Sequence, residues 1–153
     1  MKKFLIKDIT EIEEIINNSK VCSLAMISKD QPYCVPMNFG YEDGIIYLHG
    51  APEGEKTDAL KNNTDVCISF YTDDKLHVVS ESVACSYSMK YRSVLARGSV
   101  IFVNDIEEKE RILNIIMRNY TERTMFKYSK PALENVCVFY LKPVELTAYK
   151  RGY

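Results

Sequence analysis

No tryptophan occurs in the 153 residues, and only two histidines, five prolines and six glycines do. So little Gly and Pro excludes a collagen-like or low-complexity chain. No apolar run approaches the roughly 20 residues that a membrane-spanning helix needs. Charge of one sign is also lacking: 20 Lys and Arg face 21 Asp and Glu, a formal net charge of −1. That balance gives no general attraction to nucleic acid or to anionic membranes. The five cysteines lie at 22, 34, 67, 85 and 137, with no CxxC pair for zinc or thiol exchange. The N-terminal MKKFLIKDITEIEE shows no apolar signal core. These features predict reduced, mostly buried thiols in a cytoplasmic protein, with no bound metal.

Hydrophobic residues make up 46% of the chain and charged residues 27%, with eleven Tyr and six Phe. Those proportions and that length predict one globular domain over residues 1–153.

Asp8 and Glu11 resemble an N-cap and its acidic N3 partner, and Ile9, Ile12, Ile15 and Ile16 repeat at helical spacing. A helix is predicted over Ile9–Asn18. Strands are predicted over Val21–Ser28, Pro32–Tyr41 and Ile45–His49, joined by turns at Lys29–Gln31 and Glu42–Gly44. Pro32 and Pro36 cannot donate ladder hydrogen bonds, so that strand belongs at an edge, at a bulge or beside a ligand. A short helix follows over Glu55–Asn63, then strands over Val66–Tyr71 and from Leu76, with a turn at Thr72–Asp74. Glu81–Lys90 reads as a loop or irregular strand. Ser93–Val103 is strand-like, with Gly98 marking a bulge or a close backbone approach.

Asn104 or Asp105 caps a second amphipathic helix, with Ile106, Leu113, Ile116, Met117 and Tyr120 on its apolar face. The charged run Glu107–Arg111 reads as solvated. A final strand spans Asn135–Lys150, interrupted at Pro143. Six or seven strands with two or three helices, joined by short turns, predict a mainly β fold: a closed or partly closed antiparallel barrel with flanking helices.

Lys56 falls in the first turn of the helix after Gly50–Gly54. Free N–H groups and the positive end of the helix dipole make such a site suitable for phosphate, and a lysine adds a full charge. His77 reads as structural or exposed. Lys90, Arg92 and Arg97, among Tyr87 and Tyr91, read as a mixed strand surface with cross-strand aromatics.

The segment VPMNFGYEDGIIYLHGAPEGEKTDAL, followed by YRSVLARGSV and then EEKERIL, resembles the pyridoxamine 5′-phosphate oxidase-like flavoproteins. It is most similar to the branch related to nitroimidazole-resistance proteins. The resemblance covers about Lys20 to Lys150. It implies an FMN-binding split barrel acting as a homodimer, with FMN in clefts between the subunits. By position, Val35, Pro36, Met37, Asn38 and Phe39 would line the flavin, with Leu48 and His49 beside it. Lys56 matches the family's phosphate-binding lysine, Ser93 a second phosphate position, and Arg92 its basic neighbour. The implied activity is an FMN-dependent oxidoreductase acting on a small electrophile such as a nitro-aromatic compound. The implied alternative is a flavin- or haem-binding module without turnover. No residue is assigned as a nucleophile, and His49 is the candidate for moving a proton or holding a substrate anion. The sequence departs from the namesake oxidases, because it has no Trp and its TAYKRGY end lacks their substrate determinants. Oxidation of pyridoxamine phosphate is therefore not implied. Related split barrels handle haem or a deazaflavin, so the fold leaves the cofactor's chemistry open.

Overall fold

A computed structural model describes residues Met1 to Tyr153. Nine strands and four helices follow in the order β1 (Lys3–Ile6), α1 (Ile9–Asn18), β2 (Cys22–Ser28), β3 (Gln31–Met37), β4 (Phe39–Glu42), β5 (Ile45–Gly50), α2 (Glu55–Asn62), β6 (Asp65–Val78), β7 (Tyr87–Val103), α3 (Ile106–Arg118), α4 (Lys130–Glu134), β8 (Cys137–Leu141) and β9 (Glu145–Arg151). No helix is long and apolar enough to cross a membrane.

All strand pairs are antiparallel, in the order β3-β2-β6-β7-β8-β5-β4. β7 is the pivot. One edge pairs with β6 along most of its length. The other edge is shared: residues 91–97 pair with β9 and residues 100–103 with β8. Gly98 lies at this divide, where an added Cβ would sit 2.9 Å from Leu141 Cδ1. The close backbone approach expected there is therefore present. β3 and β4 are consecutive in the chain yet unpaired, so the barrel is split along a seam between them.

Local sequence explains most of these elements. Asp8 accepts from the Thr10 N–H at 2.9 Å and starts α1 at the predicted residue. Ile12, Ile15 and Ile16 enter the main core with Leu24, Ile68, Phe70 and Val94, while Ile9 stays exposed. Lys29 and Asp30 both have positive φ (49° and 60°), as a two-residue hairpin with a primed turn requires.

Several expectations change. β1 was not anticipated; it is held by pairing with β9. The predicted strand Pro32–Tyr41 is two strands, because the chain turns at exposed Asn38 from one half of the barrel into the other. Thr72–Asp74 is no turn. β6 continues through it as a bulge, with Asp73 at φ 58°, because β7 pairs on both sides, at Thr72↔Arg92 and Lys75↔Lys90. The long final strand divides around Pro143 into β8 and β9, each paired to a different part of β7. The short helix α4, with Pro131 in its first turn after the N-cap Ser129, was not anticipated either. The strand count thus rises to nine, and the antiparallel split barrel stands.

The apolar face of α3 also shifts. Ile112, Ile115 and Ile116 are buried, whereas Leu113 is half-buried and Tyr120 exposed. Lys109, read as solvated, is 7% exposed. α3 packs directly on the β4 backbone: a Cβ at Gly40 would lie 2.8 Å from Ile116 N and 2.9 Å from its Cα. Neither atom can swing away. Gly40→Ala is expected to cost about 1–3 kcal/mol, read as a lowered urea midpoint with unchanged slope. An unchanged midpoint would show that α3 slides freely on β4.

Candidate functional site

β3, β5 and α2 meet at the seam. Lys56 stands in the first turn of α2, whose N-cap is Gly54 at φ 112°, with no side chain capping the free N–H groups. The Lys56 stem crosses to β3, where its ammonium lies 3.2 Å from Met37 Sδ. On the other side is Gly50, where a Cβ would fall 2.6 Å from Lys56 Nζ. The missing side chain at Gly50 makes the space that the ammonium occupies.

No carboxylate pairs with Lys56, and a thioether sulfur is its only polar partner. Burial pulls its pKa below the ordinary lysine value, with the nearby Cys137 acting in the opposite direction. His49, half-buried at the end of β5, is shifted the same way: burial lowers its pKa first and Lys56 adds to the effect. Its imidazole is therefore neutral at pH 7. The group is a half-buried cation beside a neutral imidazole, an uncapped helix start and a thioether. Such a set accepts an anion rather than a metal. No three His, Cys, Asp or Glu side chains converge on one point.

The sequence-named residues do not all come together. Met37, His49 and Lys56 come together at the seam. Val35 is half-buried and packs against the main core, and Asn38 is exposed at the corner beside it. Pro36 points to the opposite side of β3, into a separate recess of about 430 Å³ with Ser19, Tyr71 and Thr72. Phe39 and Leu48 are fully buried and face each other across β4 and β5. The Phe39 ring meets Phe70 edge-on, with centroids 4.9 Å apart. The Phe39 N–H donates to Tyr120 Oη (3.0 Å), and its carbonyl accepts from Asn119 Nδ2 (3.2 Å). Within the chain, Phe39 and Leu48 are core, and neither lines an open cleft.

Arg92 and Ser93 stand apart from these. Arg92 turns inward, with Nη1 3.4 Å from Asp73 Oδ2 and Nε 3.9 Å from Glu11 Oε1, and it lies over the Tyr153 ring. Ser93 takes the opposite face of β7, between Tyr71 and Tyr149. No hydrogen bond or ion pair joins either residue to Lys56. The barrel's pleat separates them, since adjacent strand residues point to opposite faces.

Sequence reasoning missed Gly50, Thr57 and Cys137. Thr57 is buried and donates to the Ala51 carbonyl at 2.8 Å, fixing the loop before α2. Cys137 is half-buried opposite Gly50 in the β5–β8 ladder. Burial pushes its thiol up, while Lys61, Thr57, Lys109 and Lys56 pull it down. A glycine facing a cysteine across two strands leaves no signal in a linear sequence. The cysteines are free, but only Cys22 is buried, with a pKa pushed up to about 12 by burial; Cys34 and Cys85 are exposed. The expectation of mostly buried thiols is corrected, because Cys34 sits on an outward β3 position and Cys85 at the tip of the β6–β7 hairpin.

The profile of the pyridoxamine 5′-phosphate oxidase family matches residues 8–150. No curated protein matches the chain. Among solved structures, a protein from Bacteroides thetaiotaomicron described as a candidate 5-nitroimidazole antibiotic resistance protein is 42% identical, with a TM-score of 0.86 over 97% of this chain and 87% of that one. The flavocytochrome Anf3 from Azotobacter vinelandii is 19% identical, with a TM-score of 0.85 over 97% of this chain and 70% of that one. An FAD and heme binding protein from Mycobacterium smegmatis is 15% identical, with a TM-score of 0.84 over 100% of this chain and 75% of that one. The last two likenesses show the fold. With the profile spanning nearly the whole chain, this split barrel is a member of the pyridoxamine 5′-phosphate oxidase family.

Proposed function

We propose that the chain is an FMN-binding oxidoreductase acting on a small electrophile, such as a nitro-aromatic compound. The observation that carries this reading is Lys56: a half-buried ammonium, beside an uncapped helix start, with no anion of its own. A flavin phosphate supplies that anion. In this reading Met37 and Val35 on β3 and His49 on β5 would border the rest of the molecule. Bound FMN supplies electron and hydride transfer chemistry. The protein's part would be to hold the phosphate through Lys56, to exclude water with the apolar strand face and to keep the neutral His49 imidazole near the flavin. His49 is the group positioned to hold a proton or a substrate oxygen. The likeness to the Bacteroides protein supports the nitro-aromatic acceptor.

The same reading has two chains working together. β3 is an edge strand paired only with β2, and the outward face beside it is apolar: Ala25, Ile27, Pro32 and Cys67 border an open hollow of about 300 Å³. Tyr71 is 61% exposed on the same sheet. A homodimer would cover this face.

The direct test is the absorbance spectrum of purified protein mixed with FMN and freed of excess, followed by anaerobic NADH or NADPH and a nitro-aromatic acceptor. Retained flavin, bleaching and acceptor loss support the proposal; a colourless protein overturns it. A second reading, a flavin- or haem-binding module, draws on the Azotobacter and Mycobacterium neighbours. Retained cofactor without turnover, or a Soret band after haem addition, favours it.

The reading also fixes a pH dependence. The free Lys56 pKa lies below its ordinary value, and a bound dianion raises it, so binding takes up a proton. FMN affinity should therefore fall with rising pH as Lys56 loses its proton, and at a lower pH than an ordinary lysine would impose. Equilibrium titration at several pH values checks this, and Lys56→Ala should flatten the profile.

A further inference from the structure

A second cationic recess lies behind the Lys56 group. Its volume is about 380 Å³, at the small end of ligand pockets. Phe102 and Val136 give it apolar walls, and two lysines, Lys61 and Lys109, also line it. Cys137 is common to both: it lines the recess, and its thiol also feels Lys56.

The charges in the recess are not neutralised from within. Lys109 is 7% exposed, and its Nζ donates to two neutral carbonyls, Leu133 O at 3.0 Å and Val136 O at 2.8 Å. An ammonium has three donors, so one remains, together with the whole charge. Glu134 also borders the recess, but its carboxylate pairs with Lys130 at 3.7 Å. No carboxylate comes within ion-pair distance of Lys61 or Lys109. Burying a cation beside apolar walls is costly unless a counter-charge joins it. The carbonyls hold Lys109 in place and tie α3 to the α4–β8 connection, so the charge is fixed before any ligand arrives.

We propose that this recess binds a small organic anion: a carboxylate or phosphate carried on an apolar body. The two lysines take the anionic group, and Phe102 and Val136 take the apolar part. A phosphate alone would leave the apolar wall unused, and a neutral ring would leave the charges unpaired. The site is distinct from the Lys56 site and does not depend on the flavin reading.

Isothermal titration with phenyl phosphate, in the presence of saturating FMN, tests the assignment. Lys61→Met is the main variant: Lys61 is exposed at the end of α2, and methionine keeps much of its apolar stem. Wild-type protein should bind phenyl phosphate. Lys61→Met should weaken that binding at least tenfold with an unchanged melting temperature. Lys56→Ala should leave it within about threefold, even where it abolishes FMN binding. Phenol, with the ring and no dianion, should bind at least tenfold more weakly. Equal binding by Lys61→Met and wild type, equal binding of phenol, or displacement of phenyl phosphate by FMN would each overturn the proposal. Should the protein bind no FMN, the same titration without flavin reads the recess alone, so the two readings fail separately.

Discussion

Lys56→Ala is expected to lower FMN affinity roughly 10- to 150-fold, the loss of one charge-assisted hydrogen bond worth about 1.5–3 kcal/mol. Stability should barely change. The ammonium has no ion-pair partner in the folded chain, only the Met37 sulfur. Removing it takes away an uncompensated, half-buried charge rather than a supporting contact. Fluorescence titration of FMN and a thermal melt on the same samples separate the two effects. The expected pattern is a large shift in Kd with a near-constant Tm. A Kd within twofold of wild type would remove Lys56 from the phosphate role, and a collapse of Tm would make it a structural residue instead.

Phe39→Ala should show the opposite pattern. Its ring is fully buried, edge-on to Phe70, at the first residue after the turn between the two barrel halves. Truncating a buried Phe costs about 3–5 kcal/mol through lost transfer energy and the cavity left behind. For a chain of this size that is a Tm lowered by roughly 6–20 °C. The hydrogen bonds from the Phe39 N–H to Tyr120 and from Asn119 to the Phe39 carbonyl use backbone atoms, so they can survive the change. The seam should therefore loosen without α3 detaching. Urea unfolding with an unchanged slope and a lower midpoint is the expected result. A loss under about 1 kcal/mol would show that the seam lies outside the cooperative core.

The residues named in advance explain why some of the site was legible. Lys56 was placed at a helix start because that signal is local: Gly-rich turn, helix start and lysine lie within seven residues, and each acts through backbone geometry that sequence encodes nearby. α1 was placed to the residue for the same reason, since Asp8 and the isoleucine spacing are short-range signals. Arg92 was grouped with Lys56 by resemblance, yet in the folded chain it serves Glu11 and Asp73. Its direction depends on the register of β7 against β6 and β9, which no local pattern states. Lys109 shows the converse. Within EEKER it reads as one more surface charge, but the α4–β8 connection closes over it and supplies the two carbonyls that hold it.

The sequence by itself determined that the chain spans one domain's length, that charge and apolar runs favour neither nucleic acid nor a membrane-spanning helix, and that strands dominate. It also located the helix-start lysine, because periodicity, turn residues and caps act over a few positions. The tertiary structure alone decided that β7 is shared between two halves and that the barrel opens at Asn38. It alone set Gly50 and Cys137 beside Lys56, and Lys61 and Lys109 beside Cys137. Those relations join residues up to 87 positions apart, from Gly50 to Cys137. Strand pairing and core packing fix them, and neither leaves a local trace in the order of the amino acids.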